Sequence, residues 1–216
     1  MIKSWQHAFL VDIRYYIQVL NDTNYNWYPS QAVIRIDDIS IRTDVNRLSN
    51  FLDYLKSNHP NTKILLAVSV GVIDALEIIG SERVFPPILN AMSDHRNYFR
   101  LNSIGVPEWL PEIVSKFDCE VGSHGLVHVD HRLLDKEAQI LSVMTSLSIL
   151  KSHIFVPPFN KYNIETIELC RELGYKIVIW EDGWNHLSYQ KFDGNNGKYY
   201  LHMHDFDDVE LFAKFQ

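Results

Sequence analysis

A chain of 216 residues with 46% hydrophobic and 22% charged side chains carries enough apolar material for a core of its own, which excludes a disordered or fibrous protein. Its formal net charge of −7, with no run of Lys or Arg, excludes the basic surface that a nucleic-acid partner requires. No window of about 18 apolar residues exists, and the apolar run Ala8–Val11 is too short for the centre of a signal peptide, so a cytoplasmic protein without a membrane span is expected.

Elements alternate along the chain. Ala32–Ile39 (AVIRIDDI) reads as a strand, and the segment after Asp44 as a helix, with Val45, Leu48, Leu52 and Leu55 at helical spacing and Asp44 as its N-cap. Thr62–Val70 is a continuous apolar strand. From Gly71 to Phe117 four prolines break the pattern into short helices such as EWLPEIVSKF. CEVGSH resumes as a strand, DKEAQILSVMTSLSILKS as a helix, HIFVPP as a strand, NIETIELCRELG as a helix ending at Gly174, and YKIVIW as a strand. KYYLHMHD reads as the last strand and DDVELFAKF as a terminal helix. With no repeat or linker, this alternation predicts one α/β domain: parallel strands with outer helices, as a barrel or an open sheet, and a site beyond the carboxyl ends of the strands. Cys119 and Cys170 form no framework and read as small buried apolar groups, with a single disulfide left open.

Chemistry-bearing residues sit just past the predicted strands. The first runs into Asp37-Asp38, CEVGS into His124, IFV into Pro157-Pro158-Phe159-Asn160, VIW into Glu181-Asp182, and YYL into His202 and His204. A site assembled on one rim requires this polarity. Asp37-Asp38 suits either a turn or a general base beside a metal ligand. His124 and His128, four apart, would share one face of a helical turn and suit two nitrogen ligands about 2.0–2.1 Å from one zinc ion. Gly122 and Gly125 permit tight backbone there, and His131 reads as a solvated neighbour. A facing carboxylate completes a two-histidine, one-carboxylate set suited to zinc, iron, cobalt or manganese.

The blocks RIDDIS, CEVGSHGLVH, FVPPFN and LHMHD resemble successive motifs of the polysaccharide deacetylase family (NodB-homology, carbohydrate esterase family four), in the expected order over roughly Val33–Asp205. The resemblance implies a distorted (β/α) barrel spanning residues 1–216, with 1–32 as an N-terminal extension packed on it. It implies a metal-dependent hydrolase that removes an acetyl group from an N-acetylated sugar or polysaccharide. Asp37 would be the general base, Asp38, His124 and His128 the ligands of a divalent metal ion, zinc foremost, and His204 the general acid. Pro158, Phe159 and Asn160 match the groove-lining motif, with a backbone N–H near Asn160 as a donor to the tetrahedral oxygen. Trp180–Trp184 falls in a substrate-lining segment, Trp184 being the ligand-facing candidate, and Glu181 or Asp182 would orient His204 or bind substrate hydroxyls.

Two departures stand out. Val156 occupies the place of the arginine that orients the base carboxylate in the family, and Arg35 is the nearest candidate replacement, because side chains two apart on a strand share a face. His202 stands where an apolar residue is usual, on the face of His204, and either could be the acid, with His204 favoured for its following Asp205. Two other readings compete. His128-Val129-Asp130 with His186 or His202 would suit an iron(II), 2-oxoglutarate oxygenase, although such enzymes are jelly rolls. A non-catalytic carbohydrate-binding homologue would keep the metal and lose turnover.

Overall fold

The computed structural model describes residues 31–72, 103–179, 183–187, 192, 194, 196–207 and 215, without the side chains of 72, 103, 104, 204 and 207. The expected N-terminal extension, the terminal helix, and Trp180, Glu181 and Asp182 lie outside the described residues. β1 (Val33–Ile39) is followed by α1 (Val45–Asn58), β2 (Lys63–Val68) and a short antiparallel pair, β3 (Gly71–Val72) and β4 (Ser103–Ile104). Then come α2 (Leu110–Phe117), β5 (Cys119–Ser123), α3 (Lys136–Leu150), β6 (Ile154–Phe155), α4 (Ile164–Glu172), β7 (Lys176–Ile177), β8 (Trp184–His186) and β9 (Lys198–His202). Among the described residues no helix is long and apolar enough to cross a membrane.

Local chemistry sets the helix ends. The Asp44 carboxylate accepts from the N–H groups of Asn46 and Arg47 at 3.0 and 3.2 Å, a cap contributing about 1 kcal/mol. Asp135 caps α3 through Ala138 N at 2.8 Å, and Asn163 and Thr166 close a reciprocal capping box on α4. α1 buries Leu48, Phe51, Leu52 and Leu55, each contributing about 1.5–3 kcal/mol relative to an exposed position.

Seven strands form one parallel sheet in the order β7-β6-β5-β2-β1-β9-β8, curled into a half-barrel with the helices outside, which bears out the expected architecture. The two faces separate by alternation. Ile34, Ile36, Ile64, Leu66, Tyr199 and Leu201 face α1 and α2, while Val33, Leu65, Ala67, Ile154, Val156, Val178, Trp184 and Tyr200 form an interior cluster. Val178 follows one edge strand and Trp184 belongs to the other, so both edges of the sheet wrap around the same interior. Register carries the interior face across the sheet: Arg35 stands beside Leu65 of β2 and Tyr200 of β9, and Asp37 beside His202.

Both cysteines are buried and unpaired to each other, and burial pushes each thiol up to about 12, so neither is a nucleophile.

Candidate metal centre

The first carboxylate pair diverges because β1 is irregular there. Two steps along β2 (Leu66 to Val68) match three along β1 (Ile36 to Ile39), and Asp38 takes up the extra residue with φ 64°, a left-handed conformation that Asp tolerates. Asp37 continues the interior row of Val33 and Arg35, whereas Asp38 turns onto the rim.

His124 follows β5 directly. Its N–H donates to Val68 O at 2.8 Å, and its Nδ1 stands 2.8 Å from Val156 O. A proton on Nδ1 donated to that carbonyl leaves the Nε2 lone pair directed at the rim, the orientation a metal ligand needs. The expected helical turn joining His124 to His128 is absent: Gly125, at φ +84°, bends the chain, and a Cβ there would stand 2.9 Å from Val127 O. The loop is instead held by the Gly71 N–H on Leu126 O at 2.6 Å, Gly125 N on Ser123 Oγ at 3.1 Å and Leu126 N on Ser142 Oγ at 3.1 Å. Gly122 has a different reason: an added Cβ would meet Ile154 and Val156 at 3.1 and 3.3 Å inside the barrel.

His131 is not the solvated neighbour expected from its polar surroundings. It is fully buried, its Nδ1 3.2 Å from Val129 O and its Nε2 3.1 Å from Ser142 Oγ, so it anchors the histidine loop to α3. Burial pushes this imidazole down to about 4. Because the folded value lies below the unfolded value of about 6.5, the group costs nothing above pH 6.5. Below it the unfolded chain takes up a proton that the folded chain refuses. Stability is therefore lost as pH falls from 6.5 toward 4, by about 3 kcal/mol in all. Urea unfolding at pH 7 and pH 4.5 should show the wild-type advantage over His131→Gln shrinking by about 2–3 kcal/mol; a constant advantage would mean the imidazole is protonated in place.

Asp38 Oδ1 lies 2.9 Å from His128 Nε2 and 3.5 Å from His124 Nε2, and the three donor atoms are all within 4.8 Å of one another. Ligands about 2.0–2.1 Å from one tetrahedral ion stand about 3.3 Å apart, so this set fits a single divalent cation. Electrostatics agree with it. Burial alone would raise the Asp38 carboxyl, but the two imidazoles outweigh it and hold it well below the usual carboxylate range. Burial lowers His128, against the pull of Asp38, and favours the neutral ring that can donate a lone pair.

Arg35 is wholly buried and pairs with Asp37, Nη2 to Oδ2 at 2.8 Å, while the same nitrogen donates to Asn160 Oδ1 at 3.0 Å. Asp37 Oδ1, together with Arg35 Nε and Nη1, has no partner among the described residues. The guanidinium lies between two rings, its Cζ 5.0 Å from the centroids of both Trp184 and Tyr200. Trp184 therefore departs from its expected ligand-facing role: at 4% exposure it packs beneath Arg35 in the interior cluster. Val156, fully buried, belongs to the same cluster, so the guanidinium reaches this interior from β1 instead of from the position just after β6.

The groove segment is tightly bent, with Phe159 and Asn160 both left-handed at φ 56° and 52°. Pro158 is buried, whereas Phe159 is 38% exposed and stands 4.1 Å centroid to centroid from His128. The N–H groups of Asn160 and Lys161 are engaged on Pro157 O and Pro158 O at 3.0 and 2.9 Å. Neither of these two groups is free to donate to a tetrahedral oxygen, and the Asn160 side chain orients Arg35.

His202 ends β9, and Asp205 turns back onto it, accepting from the His202 N–H at 2.6 Å. Burial would lower His202, but Asp205 and the charges of Asp38 and Asp37 outweigh it and raise this imidazole. Burial would raise Asp205; its contacts with His202 and His186 hold it at about 2. His204 lies in the 3-10 turn Met203–Asp207, and its side chain is outside the description. Sequence reasoning missed the approach of His186 on β8 to this pair, because only the β8–β9 register creates it. The oxygenase reading fails here: Asp130 is clasped by Arg132 at 2.6 to 3.2 Å and caps a 3-10 turn, and the sheet is parallel, not a jelly roll.

No protein-family model and no curated protein matches the chain. Among solved structures, a family 4 carbohydrate esterase from Bacillus anthracis aligns at 14% identity over 92% of this chain and 80% of its own, with a TM-score of 0.52. A CE4 family pseudoenzyme from Bacillus anthracis aligns at 11% identity over 87% of this chain, TM-score 0.51, and a mutant of it with restored enzymatic activity at 10%, TM-score 0.52. The chain spans only 61–62% of the length of those two. The curled parallel half-barrel of this chain has the fold of the family 4 carbohydrate esterases.

Proposed function

We propose that the chain is a metal-dependent hydrolase that removes an acetyl group from an N-acetylated sugar or polysaccharide. The observation that carries the reading is the convergence of Asp38, His124 and His128 on one rim next to Asp37, whose Oδ1 has no partner among the described residues. A divalent cation held by those three residues, zinc foremost, supplies polarisation of the amide carbonyl and a more acidic water. Asp37 is the proton acceptor: Arg35 holds its Oδ2, so Oδ1 is presented to the attacking water. His204 supplies the proton to the departing nitrogen, which cannot leave as an amide anion at neutral pH. Phe159 offers a flat apolar surface to a sugar face, and Pro158 and Asn160 fix the bend that places it. Trp184 supports the base from below Arg35.

The non-catalytic alternative is supported by the pseudoenzyme among the structures of this fold. Turnover decides between them. Chelator-treated protein should lose deacetylation of N-acetylated sugars and regain it with zinc. His124→Ala should hold one ion per chain fewer than wild type by elemental analysis and should stay inactive with added zinc. Binding of sugar without turnover across a panel of N-acetylated substrates would favour the non-catalytic reading.

A further inference from the structure

A second constellation of ligand atoms stands on the same rim and has no part in the hydrolysis above. His186 Nε2, His202 Nδ1 and Asp205 Oδ2 form a nearly equilateral triangle with sides of 3.3, 3.4 and 3.5 Å. We propose that these three residues form a second divalent-cation site that clasps β8, β9 and the turn after it.

The distances favour a cation over a hydrogen-bonded cluster. All three exceed the 2.7–3.2 Å usual for a good N–H···O bond, while ligands about 2.0–2.1 Å from a tetrahedral ion are about 3.3–3.4 Å apart. The donor set is two imidazoles and a carboxylate, which suits zinc, cobalt or iron(II).

The surroundings hold the triangle rigid. The His202 N–H fixes Asp205 Oδ2 at 2.6 Å, and the Tyr200 ring stands edge-on to both imidazoles, at 4.6 Å from His186 and 5.6 Å from His202. All three side chains are partly exposed, at 11–23%, which leaves a path for an ion. The site stands one strand away from the first: His202 is in register with Asp37. It is nonetheless made of different residues, so the two can be emptied separately.

The experiment uses the full chain, stripped with chelator and dialysed against zinc. Wild type should hold two zinc ions per chain, His124→Ala one, Asp205→Asn one, and the double variant none. Asp205→Asn keeps an oxygen for the His202 N–H, so its fold should survive. His186→Gln serves as a second variant. Zinc should also raise the melting temperature of His124→Ala, a shift absent from His124→Ala/His186→Gln. A single zinc in wild type that His124→Ala abolishes, or an unchanged stoichiometry in both Asp205→Asn and His186→Gln, overturns the site. A zinc retained in His124→Ala but lost in Asp205→Asn upholds it, whatever becomes of the hydrolase reading.

Discussion

Asp37→Asn should retain its bound metal and lose deacetylase turnover by about 10²–10⁴-fold, the contribution usual for a positioned general base. The asparagine has the shape of the aspartate, and its oxygen can still accept from Arg35 Nη2, so the interior packing survives. What it lacks is a second oxygen able to take a proton from water. The substitution alters none of the proposed ligands Asp38, His124 and His128, so elemental analysis should find the variant as metal-rich as wild type. Removing the charge leaves Arg35 buried without its counter-ion, so turnover must be expressed per folded chain, with unfolding followed in parallel. Turnover within a few-fold of wild type would place the base elsewhere, and loss of the metal with the charge would make Asp37 a ligand.

The elements that could be read from the sequence are those whose signal is local. Asp44, Asp135 and Asn163 announce helix starts by capping chemistry, and each caps in the structure. Asp37, Asp38, His124 and His202 could be assigned to one rim because strand direction in a parallel sheet fixes which end a residue occupies. Arg35 could be paired with Asp37 by alternation alone. Features that need a second strand were not legible. His186 belongs to a three-residue strand, too short for any periodicity, and meets His202 and Asp205 only through the register of β8 with β9. The histidine loop was read as helical because i, i+4 spacing is a helix signature, yet Gly125 takes a conformation no helix contains. His131 and Trp184 have polar neighbours in sequence (VHVDHR and EDGWNH) and are nonetheless buried. In a strand such as β8 adjacent residues point opposite ways, and the 3-10 turn His131–Leu133 directs its first residue inward, so a polar neighbourhood reports nothing about either side chain.

Arg35→Ala should lower the unfolding free energy by about 3–5 kcal/mol and depress turnover in the molecules that remain folded. Both partners of the Arg35–Asp37 pair are almost wholly buried, at 0% and 1%, so removing the guanidinium leaves a poorly hydrated carboxylate without its counter-ion. The change also opens the space between Trp184 and Tyr200, and it releases Asn160, whose left-handed backbone is then no longer tied to β1. The stability loss and the catalytic loss separate in Arg35→Lys. An ammonium keeps the charge beside Asp37, but as a point charge it cannot reproduce a planar group stacked between two rings and bonded to both Asp37 and Asn160. Arg35→Lys should therefore unfold at a urea midpoint between those of wild type and Arg35→Ala while its kcat falls with misorientation of Asp37. Equal kcat in wild type and both variants would show that the Asp37 carboxylate needs no positioning from β1. A urea midpoint unmoved by Arg35→Ala would show that the buried pair contributes nothing to the fold.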